Sequence, residues 1–444
     1  MSQNSEQSFA RVLTVKDGLA VAVGMVIGAG ILRTPGVVAG YLGDPWVILG
    51  VWVLGGIVAG LSTLLLAEMA AALPEAGGKY VYAREAWGPV MGFVAGWAEM
   101  LVGRGFSGAA KAVVIAEYIR ILTGGQGSIP LLAGAVVLGF FFLHTQGLKA
   151  STTFQNVTTV IKVCVVIGIA GAGIWAGDLL GIGAGDTKSM VMEGAWTSRF
   201  SAAYLAVAFA YYGWEDAAKM AEEIKNPGKA LPNILLKGVL VVAVLYLLMN
   251  LSFLAVLSPE EMSGSELVAQ DAISGVFGSA AGTIVVLASL LILISSLNVN
   301  FLGLPRVAYG LASHGLAPRP FSRVDAKGTP RNALYFIAAW IGLLAVTGSF
   351  EKIIQYMMMV SISVDTMVLL GFFRLRMKRP DLARPFRAFG YPWIPMLTII
   401  LYLAILAILV ITQPQLAIGG GLMIGSLVVA GLINDRINRR RQKV

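Results

Sequence analysis

Runs of about twenty consecutive apolar residues recur along this chain from near its start to near its end. A helix of that length spans the roughly 30 Å hydrocarbon core of a bilayer. Inside hydrocarbon every backbone polar group must find a partner within the protein, so the chain can fold only as a bundle of membrane helices. Composition agrees: of 444 residues 57% are hydrophobic and 13% charged, with a mean hydropathy of +0.78, far from the balance of a soluble domain of this size. Twelve spans are expected, near 17–41, 45–72, 88–120, 130–147, 151–176, 199–224, 234–257, 278–305, 332–349, 351–374, 391–412 and 415–434.

The net charge of +9 could suggest nucleic acid in a soluble protein. Here the basic residues fall in short connections between apolar runs, so they report topology instead. Lys79 and Arg84 follow the second span, Lys149 the fourth, Lys219, Lys225, Lys229 and Lys237 the sixth. Arg306, Arg319, Arg323, Lys327 and Arg331 surround the eighth-to-ninth connection, and a further group from Arg374 to Arg387 follows the tenth. With twelve spans all of these, and the basic tail 435–444, lie on one side. The seventh-to-eighth connection holds Glu260, Glu261, Glu266 and Asp271 and no Lys or Arg. A multi-pass plasma-membrane protein with both termini cytoplasmic is expected, residues 1–16 forming a cytoplasmic lead. The single Cys164 and the distant His144 and His314 supply no metal-ligand spacing, and no cofactor is expected. No clustered nucleophile and base points to an enzyme, and no repeated ring element points to a channel.

The first span is interrupted. Gly24-Met25-Val26-Ile27-Gly28-Ala29-Gly30-Ile31-Leu32-Arg33-Thr34-Pro35 places three glycines and a proline where an unbroken helix is otherwise expected. Such a break is tolerated only where it is buried in protein or lines a cavity. Its freed amides, near Ala29, Gly30 and Ile31, suit a substrate carboxylate. The sixth span carries a second irregular stretch, Phe209-Ala210-Tyr211-Tyr212-Gly213-Trp214-Glu215-Asp216. Carbonyls of Phe209, Ala210 and Tyr212 beside Gly213 could accept from a substrate ammonium. Five spans separate the two breaks, an odd offset that inverts the second unit relative to the first. That is the arrangement of inverted-repeat transporters. The repeats are expected over 17–176 and 199–374, with 391–434 as two additional spans.

Together these motifs resemble the amino acid–polyamine–organocation superfamily of transporters, with a LeuT-type core. Gly28-Ala29-Gly30-Ile31 is similar to the family's first-span pattern, with Ala29 where a serine is common. Pro74-Glu75-Ala76-Gly77-Gly78-Lys79-Tyr80, Gly213-Trp214-Glu215, Ala221-Glu222-Glu223-Ile224-Lys225-Asn226-Pro227, Arg306-Val307-Ala308-Tyr309-Gly310 and Arg384-Pro385-Phe386 follow in the family's order. The resemblance implies alternating-access transport of amino acids or related amines, by exchange or with a coupled proton. It also implies roles for individual residues. Phe209 would close over the substrate, and Gly103 and Ser107 would face it from the third span. Arg33 and Asp365 would form an outer gate; by helix count, however, Asp365 lies deeper than Arg33, which leaves Arg104 or Lys162 as other partners for it. The ammonium of Lys162 would take the place of a bound sodium ion, bonding carbonyls near Gly24 and Ile27 and hydroxyls of Ser295 or Ser296; sodium independence follows.

Charged residues inside spans are functional candidates by default. Glu215, buried without a partner, could hold a proton near neutral pH, or favour cationic amino acids or polyamines as substrates. Asp216 beside it is expected to face elsewhere. Glu99, Arg104 and Lys111 in the third span are expected to pair or to line a wet cavity.

Overall fold

The computed structural model describes residues 11–182, 193–265, 267–347 and 350–441. Among them every regular element is a helix, apart from one isolated parallel bridge between Leu13 and Ile224. The helices are α1 (Val15–Val26), α2 (Ala29–Leu42), α3 (Pro45–Ala72), α4 (Lys79–Trp87), α5 (Pro89–Trp97) and α6 (Arg104–Leu122). Next come α7 (Ile129–Thr145), α8 (Leu148–Ala176), α9 (Trp196–Tyr211), α10 (Pro227–Val256), α11 (Pro259–Ser263) and α12 (Val268–Phe277). The last are α13 (Ser279–Ser313), α14 (Arg331–Thr347), α15 (Phe350–Lys378), α16 (Trp393–Thr412) and α17 (Pro414–Arg441). Counting α1 and α2 together, 8 spans among the described residues are long and apolar enough to cross a membrane, and α7 and α14 are shorter apolar helices.

Local chemistry sets the ends. Thr14 and Asp17 form a reciprocal capping box at the start of α1, and Asp44 accepts from Trp46 and Val47 at the start of α3, where Pro45 occupies the first helical position; each arrangement satisfies first-turn amides that have no intrahelical acceptor. Gly43 closes α2 at φ 68°, a left-handed position glycine adopts without penalty.

The expected third span is the residue range from α5 to α6, and a π-helical segment, Ala98–Gly103, joins the two. A π-bulge inserts an extra residue into the turn, so α6 presents a different face from the one a continuous helix would show. The expected sixth span is α9 followed by a break and a 3-10 helix, Trp214–Glu223. The seventh-to-eighth connection folds as α11 and α12; Glu266 lies outside the described residues. The short basic tail continues α17 to Arg441, and Asn434 and Asn438 donate to the carbonyl of Gly315 at 3.1 and 2.8 Å.

The interrupted helices sit at the centre. α1 packs on α8, α10 and α13, and α2 packs on α9. At one end Leu13 is clamped to the exit of the 3-10 helix: its amide donates to Glu223 O at 2.8 Å and its carbonyl accepts from Lys225 at 2.9 Å. Isoleucine and leucine side chains on α16 and α17, such as Ile411 and Leu422, are exposed, as a lipid-facing surface requires.

Candidate functional site

The first break falls at Ile27 and Gly28. An α-helix leaves its last four carbonyls without intrahelical donors, and here the four are met by three side chains from three other helices. Lys162 on α8 donates to Gly24 O at 2.7 Å and to Ile27 O at 2.9 Å. Ser296 on α13 donates to Met25 O at 3.0 Å, and the Tyr246 hydroxyl on α10 lies 2.6 Å from Val26 O. The same hydroxyl is 3.1 Å from Ala210 O at the end of α9, so Tyr246 ties the two breaks together. The expected Lys162 contacts to Gly24 and Ile27 are present. Ser295 and Ser296 do not bond the ammonium: Ser295 accepts from Thr158 at 2.9 Å, while Ser296 holds the neighbouring carbonyl. The amide end of α2, opening at Ala29, has no side-chain cap.

The second break runs through Tyr212 and Gly213. Gly213 has φ 133°, and a Cβ there would lie 2.6 Å from Met25 Cγ and 3.5 Å from an Arg104 nitrogen. The position therefore demands glycine twice, by conformation and by space. Across the interface Gly30 meets Ala210, a Cβ at Gly30 falling 2.5 Å from Ala210 Cα. Phe209 packs, half-buried, against an apolar cluster of Met357, Met358, Met359, Ile362 and Leu409. Gly103 lies beside Glu99 and Ser361, and Ser107 and Ile31 are buried.

Next to the second break lies a buried network of seven charged side chains. Arg104 reaches Glu215 at 2.7 Å and both Glu99 and Asp216 at 3.3 Å. Lys219 reaches Glu99 at 2.6 Å and also bonds Asp216. Lys79 on α4 reaches Asp365 at 2.7 Å, Glu215 at 3.1 Å and Glu99 at 3.7 Å. Both Lys79 and Arg104 stand over the Tyr212 ring, at 4.7 and 4.6 Å, and Lys79 donates to the Tyr212 hydroxyl at 2.7 Å. Such cation–ring contacts strengthen when desolvated. Glu99, Glu215 and Asp216 offer oxygens within 4.8 Å of one another, a spacing that would suit a metal, but Lys79, Arg104 and Lys219 already stand against them.

Four sequence expectations are corrected here. Arg33 and Asp365 do not pair: Arg33 lies 3.5 Å from Glu117, and Asp365 takes Lys79 rather than Arg104 or Lys162. Glu215 is not a lone buried acid, since two cations hold it. Asp216 does not face away from Glu215; Arg104 sits between the two carboxylates. Lys79 and Lys219, read as topology markers in connections, are buried. The available signal was the set of charges at 99, 104, 215 and 216, which needed counter-charges from the nearest basic residues.

Apolar helices around two unwound, mutually tied segments define a multi-pass membrane transport protein. The chain belongs to the amino acid permease family, which it matches over residues 13–433, within the amino acid–polyamine–organocation superfamily. It is 29% identical over 386 residues to the serine/threonine exchanger SteT of Bacillus subtilis (strain 168), covering 86% of this chain and 87% of that one. It is 27% identical over 421 residues to the b(0,+)-type amino acid transporter 1 of Mus musculus, covering 92% and 84%. The methylthioribose transporter of Bacillus subtilis (strain 168) is 26% identical over 427 residues, covering 90% and 88%.

Proposed function

We propose that this protein is a sodium-independent secondary transporter of amino acids that works by alternating access, as an exchanger or a proton-coupled symporter. The observation that carries the reading is the asymmetry of the first break. Every carbonyl at the end of α1 is held by a side chain, Lys162 holding two, while the α2 amides have no side-chain cap. A substrate carboxylate fits the amide end of a helix by charge and by hydrogen bonding. Its ammonium would bond carbonyls of the second break, at Phe209, Ala210 and Tyr212. Lys162 stands as a fixed cation where a coupling ion would otherwise be needed, which supports sodium independence. That a serine/threonine exchanger and an amino acid transporter are similar along most of their length supports the substrate class.

Twelve crossings, paired as inverted repeats over 17–176 and 199–374 with 391–434 added, and cytoplasmic termini in a plasma membrane belong to the same reading. A cationic amino acid or polyamine antiporter rests on Glu215, and Arg104 and Lys79 already meet that charge. Counterflow in proteoliposomes, run in sodium and in choline, tests the proposal. Exchange-stimulated accumulation of an amino acid, equal in both salts, is expected. Uptake that requires sodium, or no accumulation of any amino acid, would overturn it.

A further inference from the structure

Among the described residues Lys111, like Lys162, is a buried cation that the carboxylate network leaves out. It lies seven residues after Arg104 on α6, so the two share a face of that helix. Arg104 has three carboxylates. Lys111 has Asn300 Oδ1 at 3.1 Å, the carbonyl of Ser296 at 3.4 Å and the thioether of Met25 at 3.4 Å. Among the described residues no carboxylate forms an ion pair with it, yet only 4% of it is exposed. Neutral acceptors at those distances compensate a buried ammonium poorly, and a buried charge without a counter-charge is among the most costly features a fold can carry.

Its position gives the charge a use. Met25 stands two residues before the break at Ile27, and Ser296 Oγ lies 2.5 Å from where a Cβ on Gly28 would be. The ammonium therefore lies against the end of α1, next to the unwound segment. Asn300 is oriented for it: Asn300 Nδ2 donates to Arg104 O at 2.7 Å, which turns Oδ1 toward Lys111. Around the two breaks the described residues place five buried cations, Lys79, Arg104, Lys111, Lys162 and Lys219, against four buried carboxylates, Glu99, Glu215, Asp216 and Asp365. There is one basic group more than there are acidic ones, so a second substrate carboxylate supplies the counter-charge that Lys111 lacks, whereas a cationic side chain adds to the excess.

We propose that Lys111 is a specificity-determining residue that takes a second carboxylate of the substrate, so that this transporter selects acidic amino acids of the aspartate and glutamate type. The inference rests on the reading of the protein as an amino-acid transporter. The α-carboxylate occupies the α2 amides, and the side-chain carboxylate pairs with the Lys111 ammonium across the break.

The test compares L-aspartate, L-glutamate, L-serine and L-lysine in proteoliposome counterflow and in thermal-shift titrations of the purified protein. Aspartate or glutamate is expected to stabilise the protein and to drive counterflow at concentrations at least ten-fold below serine or lysine. Lys111→Met should lose that preference at least ten-fold and Lys111→Arg should keep it. Without ligand, Lys111→Met should melt no lower than the unmodified protein, because it removes an unpaired buried charge. Should Lys111→Met fail to fold, Lys111→Gln and the preference of the unmodified protein decide the matter. Serine carried as well as aspartate, or an acidic preference that survives Lys111→Met, overturns the inference and leaves amino-acid transport standing. No counterflow with any amino acid overturns both.

Discussion

The Lys162 ammonium lies 2.9 Å from the carbonyl of Ile27, the residue that ends α1, and also bonds Gly24 one turn earlier. Its positive charge therefore sits at the negative end of the α1 dipole, where a cation is favoured. It joins α8 to a core helix that stops in mid-bundle. Replacing it leaves two buried carbonyls without donors, at a cost of about 1–3 kcal/mol each. Lys162→Ala is expected to lower the melting temperature and to reduce turnover at least ten-fold while the protein still folds, read by counterflow and thermal denaturation. Full activity of this variant would remove the coupling role. Sodium dependence that appears only in Lys162→Ala would support it directly.

Gly30 touches the backbone of Ala210, and a Cβ at 30 would fall 2.5 Å from Ala210 Cα and 2.9 Å from Ala210 Cβ. Backbone cannot swing aside as a flexible side chain does, so α2 and α9 would have to separate. Gly30→Ala should already impair transport several-fold, and Gly30→Leu should abolish it at retained expression. Normal substrate affinity in Gly30→Leu would show that this contact lies away from the binding site.

Glu215 shares Arg104 with Glu99 and Asp216, and shares Lys79 with Asp365 and Glu99. Removing one member of a buried pair strands its partner, typically at about 3–5 kcal/mol. Here the remaining carboxylates take up part of the loss, so Glu215→Gln is expected at the low end, about 3 kcal/mol, measured by denaturation in detergent. A neutral effect would mean that the network is loosely coupled. Lys79→Met should cost at least as much, since it also removes the Lys79–Asp365 pair between α4 and α15.

Arg33 and Glu117 are a third exposed and 3.5 Å apart. Ion pairs with that much solvent contribute at most about 1 kcal/mol. Arg33→Ala should therefore change stability by less than that and leave exchange near its original rate. A large loss of transport would restore the gate role that the sequence suggested for Arg33.

The class of fold and the places where its helices break were legible in the order of residues alone. Hydrocarbon imposes a length and an apolarity on each span, and both are read residue by residue. The break at Gly28 is equally local, because glycine and proline act on their own backbone. The depth of Lys162 follows from a rise of about 1.5 Å per residue along one helix, whereas its carbonyl partners were implied by the family resemblance. Charge pairing was not. Asp365 and Lys79 are 286 residues apart, and which cation meets which carboxylate depends on how α4, α6, α15 and the 3-10 helix are rotated against one another. The π-helical turn at Ala98–Gly103 adds a residue that turns the following face by about 100°, so the orientation of Arg104 and Lys111 could not be counted from the start of the span. Only the tertiary structure, which desolvates all of these groups together, decided that Arg104 would be shared among three acids and that Lys111 would be left with none.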